Sequence, residues 1–421
     1  MSAVPTSQEQ AHGEAQAAFA AEDETLASAK PVDLQAEYAK WEREMPLDGL
    51  FSRIEAYMTV VDPDAVAVVL ATAVAAAAVD DDPLWLMLVG PSSGSKSETI
   101  RTVAKLADSN LSDLTRAGLL GGHMAKRDDA VVTVRTGLLA KLGDGCNALV
   151  TISDLSPLLS RGSVSGQEQS GIYEALRDIY DGKYTRTMDR LEVSWNGRLT
   201  LLAGVTPAID AMRTYTTALG TRFCYFRLDP MADVDRLKIA RMVANRSDLK
   251  SLREAARSEA DAVVQAARER VANAVISDVV RDTIVSCANL AAYGRVNLPR
   301  DYRGDVSGMA DWEEPGRLTG QLCVLARSLT ALGIGDDAVQ RIVKRTARSC
   351  MPADMLAVLR ACGDWRSTSE VARRAGVNRS HVATRALEAW AATGVIEERA
   401  ADTSIDWRWS ETHEAGIESV M

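Results

Sequence analysis

The segment that most limits the fold runs from residue 84 to residue 107. Leu84-Trp85-Leu86-Met87-Leu88-Val89 is an unbroken apolar run. It is followed by Gly90-Pro91-Ser92-Ser93-Gly94-Ser95, then by Lys96-Ser97-Glu98 and a helix-compatible stretch. A short apolar run bounded by small residues suits a buried strand. Glycine and serine leave the backbone bare enough to wrap N–H groups around phosphate oxygens, and a helix beginning at the lysine adds its positive dipole end. In that frame Lys96 reaches the β- and γ-phosphates and the Ser97 hydroxyl ligates magnesium. Gly90, Pro91, Ser92, Ser93, Gly94, Ser95, Lys96, Ser97 and Glu98 are therefore the expected cradle for ATP and Mg²⁺, with Ser95 where a glycine is usual. The competing reading is a Gly/Ser surface turn with a chance lysine. The strand and helix signals on either side weigh against it.

Apolar runs at 148–152 and 199–205, with a weaker one at 223–228, alternate with helical stretches. That alternation predicts an α/β fold with a parallel sheet. Residues 231–293 and 315–361 have helical patterning, 294–314 look irregular, and 363–410 look like a separate small unit. The expected division is a disordered tail at 1–30, a helical segment at 31–83 with Pro46 and Pro63 as breaks, a nucleotide-binding core at 84–230, a helical lid at 231–361 and a helix-turn-helix unit at 362–421. A chain of 421 residues suits two or three domains.

The formal net charge is −10, so the chain as a whole is not a polycation, and any nucleic-acid contact must come from local basic patches. The six cysteines are scattered without CxxC spacing and there are four histidines, which weighs against a zinc site or a disulfide framework. A reducing cytoplasm is the expected compartment. Residues 1–29 carry no basic n-region, so no secretory signal is expected. The most membrane-like stretch, 65–79, is shorter than the roughly 20 residues a span needs. It also runs into Asp80-Asp81-Asp82. An Ala-rich helix packed under the core is expected there, with no membrane partner.

A site that cleaves a phosphoanhydride needs an acid at the end of a second strand. Ala148-Leu149-Val150-Thr151-Ile152-Ser153-Asp154 supplies one, with Ser153-Asp154 where two adjacent carboxylates are usual. Asp154 takes the magnesium role, the water-polarising role, or part of each; the alternative is a buried strand ending in a turn aspartate. Thr206 closes the run 199–205 and can position water beside the γ-phosphate. Arg222, in Gly220-Thr221-Arg222-Phe223, suits an arginine finger that neutralises transition-state charge from a neighbouring subunit. Otherwise it is a surface arginine.

In their order and spacing these segments resemble the AAA+ ATPases, most of all the minichromosome maintenance helicase branch, over residues 84–361. That branch has a small residue before its Lys-Ser, a Gly-Leu segment matched by Ala117-Gly118-Leu119-Leu120, and a turn before the acid strand matched by Gly143-Asp144-Gly145-Cys146. Its pre-sensor helix and hairpin are matched by 173–180 and 183–198, and its finger by Thr221-Arg222-Phe223. Its second sensor arginine, which opens a helix rich in Leu and Arg, is matched by Arg317-Leu318-Thr319-Gly320-Gln321-Leu322. The chain is also similar to uncharacterised ATPases of phages and mobile elements whose acid strand lacks the second carboxylate. The resemblance implies ATP hydrolysis with Lys96, Asp154, Thr206, Arg222 and Arg317 as the working residues, Ser97 and Asp154 at Mg²⁺, and a ring, hexameric in that family. No N-terminal oligonucleotide-binding barrel with a zinc module is recognisable.

Asp181-Gly182 is a turn signal, and the strands beyond it carry Lys183, Arg186 and Arg190. In the resembled family a hairpin here projects into the ring pore, where basic side chains would grip DNA phosphates without reading sequence. The alternative is a solvated edge hairpin with charges that oppose aggregation. Residues 364–410 look like a winged helix. A short helix at 369–375, a turn at Gly376-Val377-Asn378 and a longer helix at 380–392 precede strands around Asp402-Thr403. Arg379, His381 and Arg385 would face the major groove if this unit binds DNA. Its near-neutral charge leaves protein docking or regulation equally open.

Two function classes follow. The first is an ATP-driven motor on DNA, a replicative helicase or replication initiator of a phage or mobile element. The second is an ATP-gated helicase loader or regulator that recruits replication partners through its winged helix. A small-molecule kinase fits the C-terminal unit and Arg317 poorly.

Overall fold

Strand β1, Trp85–Val89, is buried along its whole length, which is why its sequence is apolar without alternation. It sits inside a sheet ordered β2-β5-β7-β1-β8, in which β2 is Ser109–Leu111, β5 is Cys146–Ile152, β7 is Leu191–Val205 and β8 is Cys224–Arg227. All four neighbouring pairs along that path are parallel. Helices flank this sheet in a computed structural model that describes residues 47, 49–58, 62–78, 82–91, 95–112, 114–127, 130–160, 166–188, 191–212, 222–228, 248–377, 380–400 and 405–421. The expected tail at 1–30 lies outside the described residues, as do most of 31–61 and all of 229–247. The α/β class and the parallel sheet expected from the alternating runs are present, in an arrangement compatible with a P-loop-like fold.

Helix α1 is Leu50–Glu55 and α2 is Pro63–Ala75. Pro63 begins α2 rather than interrupting a helix. It stands at the first helical position, where its missing N–H costs nothing, and Asp62 caps the end by accepting from the Ala65 N–H at 3.1 Å. Every residue of α2 is buried, between β7 and the helices α8, Leu249–Val271, and α10, Gly316–Ala331. Each fully buried Val or Leu of such a helix contributes about 1.5–3 kcal/mol. Among the described residues no helix is long and apolar enough to cross a membrane.

Two hairpins leave the sheet. Strand β6, Lys183–Met188, folds antiparallel onto the first half of β7, so β7 is far longer than the run 199–205 suggested. Strands β3, Gly121–Arg127, and β4, Ala130–Thr136, form a second hairpin that the sequence reading did not anticipate. It lies between α4, Arg116–Leu119, and α5, Leu138–Leu142. Arg135 fastens it, through Asp144 at 2.8 Å and the carbonyl of Ser194 at 2.7 Å, to the turn before β5 and to β7.

Helix α3, Lys96–Arg101, follows β1; α6, Ser156–Ser160, follows β5; and α7, Gly166–Tyr180, precedes β6. Beyond β8, where a helical lid was expected, the described residues form α8, α9 (Asp278–Gly294), α10, α11 (Asp336–Ser349) and α12 (Ala353–Cys362). Over the described residues 248–293 the helical patterning forms two helices, because the chain leaves α8 at Ala272 and restarts where Ser277 caps α9 by accepting from the Val280 N–H. Asp62 and Asp64, at the start of α2, pair with Arg345 and Arg341 of α11 and lock the lid to the core. The irregular segment 295–313 carries isolated bridges Asn297↔Asp311 and Arg300↔Val306.

The C-terminal unit contains α13, Thr368–Arg374, and α14, Ser380–Ala392. A small antiparallel sheet ordered β10-β11-β9 is built from Arg366–Ser367 (β9), Ile396–Ala400 (β10) and Ile405–Trp409 (β11). Its core holds Val371, Leu387, Trp390 and Trp407. Trp390 donates to the carbonyl of Met355 on α12 at 2.9 Å, so this unit packs directly on the lid. The last helix, α15, is Glu414–Val420 and lies against α9.

Candidate functional site

Strand register sets the site. Val89 of β1 is level with Val205 of β7, and Ile152 of β5 is level with Ala203. Gly90, Asp154 and Thr206 therefore leave the sheet at one edge, its C-terminal edge, where ligands bind in open α/β sheets. Lys96 is 6% exposed, and its ammonium folds back to donate to the carbonyls of Gly90 at 2.7 Å and Pro91 at 2.6 Å. Burial lowers the Lys96 pKa from its ordinary value, and the negative charge of Asp154 opposes that shift. The lysine and the acid thus interact across the edge. Ser97 and Asp154 are the oxygen donors here that fit Mg²⁺, a hard cation. Ser92, Ser93 and Gly94 of the expected cradle lie outside the described residues.

Glu98 has a partner the sequence did not announce. Arg253 of α8 grips it bidentately, Nε to Oε2 at 2.8 Å and Nη2 to Oε1 at 2.5 Å, while Arg101 donates to Oε1 at 2.8 Å. The helix that follows the cradle is thereby fastened to the lid.

The ends of β5 and β7 are stitched together. The Leu155 N–H donates to the Gly204 carbonyl at 2.8 Å, and the Thr206 N–H donates to Ser156 Oγ at 2.9 Å. Asp154 itself accepts from the Ser156 N–H at 2.9 Å. Gly204 is required because a Cβ there would lie 2.6 Å from the carbonyl oxygen of Ser153. Asp154 and Thr206 are in this way held relative to each other by a serine that sequence reasoning passed over.

Arg222 leaves the opposite edge. Cys224 pairs with Leu86 near the start of β1, so Arg222 stands below the N-terminal end of the sheet. At about 3.3 Å per residue, β1 alone separates it from the cradle by about 13 Å. Its side chain is 12% exposed and donates to Asp181 at 3.0 Å over the ring of Tyr180. Arg317, at the start of α10, pairs with Glu313 at 2.7 Å. Arg222 and Arg317 line one cleft of about 570 Å³ together with Arg177, Arg295, Arg300 and Arg385. The structure therefore groups the five expected working residues in two sets: Lys96, Asp154 and Thr206 at one edge, Arg222 and Arg317 in this cleft.

In the β6–β7 hairpin Lys183 is exposed at the base, opposite Asn196. Arg186 is half-buried and donates to the carbonyls of Leu120 at 2.8 Å and Arg116 at 3.2 Å, which fastens the hairpin to the end of α4. Arg190 lies outside the described residues. On α14, His381 and Arg385 are exposed, and Arg379 lies outside the described residues. Glu388 of the same helix pairs with Arg300 at 2.6 Å, and Arg385 borders Gly304. The segment 295–313 thus lies along part of α14.

No protein-family model matches the chain, and no curated protein matches it.

Proposed function

We propose that the chain is an ATP-hydrolysing AAA+ ATPase of the minichromosome-maintenance-like branch that assembles into a ring and acts on DNA, as a replicative helicase or replication initiator. The observation that carries this reading is the split of the working residues. Lys96, Asp154 and Thr206 share the edge that suits a nucleotide, and Arg222 leaves the other edge. An arginine about a strand's length from its own cradle, if it serves hydrolysis, does so in a neighbour's site, and this supports the ring reading. In this reading Ser97 and Asp154 hold Mg²⁺, which offsets phosphate charge. Lys96 leaves its loop carbonyls for the phosphates, Thr206 orients water, and Arg222 and Arg317 face the adjoining subunit's nucleotide. The C-terminal unit, with two helices and a three-stranded sheet, fits a winged helix.

The test uses three proteins: wild type, Lys96→Ala and Arg222→Ala. Lys96→Ala loses nucleotide binding or turnover, whereas Arg222→Ala keeps binding and loses turnover. Mixing the two inactive variants restores activity at composite sites. A fully active monomer, or wild type that does not bind millimolar Mg-ATP, refutes the proposal.

The second reading is an ATP-gated loader or regulator. It is favoured by Arg186, whose charge is spent on carbonyls inside the chain, and by the Arg300–Glu388 contact on α14. ATPase rates with and without single- and double-stranded DNA separate the two, because a motor is stimulated and a switch is not.

A further inference from the structure

Gln321 is fully buried on α10, one turn beyond Arg317. A side-chain amide brings donors and an acceptor into the core, and leaving any of them unbonded there costs about 1–3 kcal/mol. Its partners therefore define its place. Oε1 accepts from the Cys224 thiol at 2.9 Å, while Nε2 donates to the Tyr180 hydroxyl at 2.9 Å and to the carbonyl of Arg222 at 2.8 Å. Burial holds the Tyr180 phenol above its ordinary range, so it stays a neutral partner. The Tyr180 ring sits 5.7 Å from the Arg222 guanidinium and meets Trp85 edge-on at 5.3 Å. Asp181, the next residue, accepts from Arg222.

Arg222 is thus held at its backbone by α10 and at its guanidinium by the end of α7. Residues four apart share a helix face, so Gln321 and Arg317 move as one when α10 shifts or rolls. We propose that Gln321 is a positioning residue through which α10 sets Arg222, so that the two cleft arginines advance and retract together. The inference rests on the ATPase reading above, and its test distinguishes the two.

The experiment takes the full chain with Gln321→Leu and the near-isosteric Gln321→Glu. Folding is checked by circular dichroism and melting, so that glutamate is read if leucine prevents folding. Three quantities are measured: affinity for a fluorescent ATP analogue, kcat and KM, and activity after mixing with Lys96→Ala. Turnover is expected to fall about tenfold or more, because a group that stabilises transition-state charge is displaced. Nucleotide affinity stays within about twofold, because the cradle lies at the other edge of the sheet and ground-state binding is untouched. Mixing with Lys96→Ala restores activity, since those subunits offer intact arginines to the intact cradles of the Gln321 variant. A merely structural glutamine gives another result: affinity and turnover fall together and mixing rescues nothing. That outcome overturns the inference, as does wild-type turnover in either folded variant. Wild type that neither binds nor hydrolyses ATP overturns the ATPase reading, and the inference with it.

Discussion

Adding one methyl group at residue 204 tests how the C-terminal edge of the sheet is built. In Gly204→Ala the new Cβ meets the Ser153 carbonyl oxygen at 2.6 Å, and the neighbour is backbone, so no rotamer change relieves it. Ordinary contact begins near 3.4 Å, so the ends of β5 and β7 must part by about 0.8 Å, the difference of those two distances. Overpacking of this kind costs about 1–3 kcal/mol, and a strained hydrogen bond such as Leu155 N–H to Gly204 O adds about 1 kcal/mol. At about 2–4 °C per kcal/mol for a domain of 150–250 residues, the melting temperature falls by several degrees. The larger effect is on turnover. Asp154 and Thr206 sit on the two ends being parted, and a displacement near 1 Å costs about a hundredfold in rate. Lys96 is on neither strand, while Asp154 also serves Mg²⁺ in this reading, so KM rises somewhat and kcat falls further. Melting curves and steady-state ATPase kinetics on the one variant read both effects. A variant that melts and turns over like wild type refutes the close approach of Gly204 to Ser153 and the coupling built on it.

Nucleotide binding should take up protons at alkaline pH. Burial depresses the Lys96 pKa in the free protein, so its charged form carries a penalty that lifts as pH rises through that value; a triphosphate favours the charged form and reverses the sign. Calorimetry in buffers of different ionisation enthalpy, between the depressed pKa and the ordinary lysine range, reads the uptake, and flat affinity with no proton exchange there contradicts it. Arg186→Ala should lower the melting temperature without DNA present, because two carbonyls lose a charged donor worth about 1.5–3 kcal/mol. The exposed Lys183→Ala should not. If Arg186→Ala melts like wild type and loses only DNA stimulation, its carbonyl contacts are not what holds it. Trp85→Phe deletes the donor to the Leu199 carbonyl and should destabilise by about 1–3 kcal/mol, read by urea denaturation; an unchanged midpoint counts against that bond.

The C-terminal edge of the sheet was legible because each of its parts is local. A strand buried on both faces must be apolar throughout, so β1, β5 and the second half of β7 announce themselves, and the small residues before Lys96 mark the loop. The first half of β7 was taken only as part of a hairpin, because alternating Val193 and Trp195 serve the contact with β6 and the turn before β5, where Trp195 donates to the Gly143 carbonyl at 2.8 Å. The β3–β4 hairpin escaped notice. Its first strand, Gly121-Gly122-His123-Met124, has little β propensity, and only Val131-Val132-Thr133-Val134 after Asp128-Asp129 signals it. The roles of Glu98, Ser156 and Gln321 depend on partners up to 155 residues away, such as Arg253 on Glu98, and no local pattern encodes them. Arg186 shows the converse. A basic side chain on a hairpin looks the same in sequence whether it meets a phosphate or a carbonyl of its own chain.

The wholly buried helix α2 has a consequence for how the protein is made. It leaves the ribosome as thirteen residues with no face suited to water, and the helices that cover it, α8 and α10, end at residues 271 and 331. At synthesis rates of about 5–20 residues per second, α2 waits roughly 13–50 s for α10. During that interval its Val- and Ala-rich surface is open to chaperones, to other nascent chains and to membranes. The ion pairs of Asp62 and Asp64 with Arg345 and Arg341 close later still, once α11 has emerged. Chain order thus leaves the centre of the molecule open until long after its own synthesis, and truncations before residue 331 should yield aggregates rather than a smaller folded core.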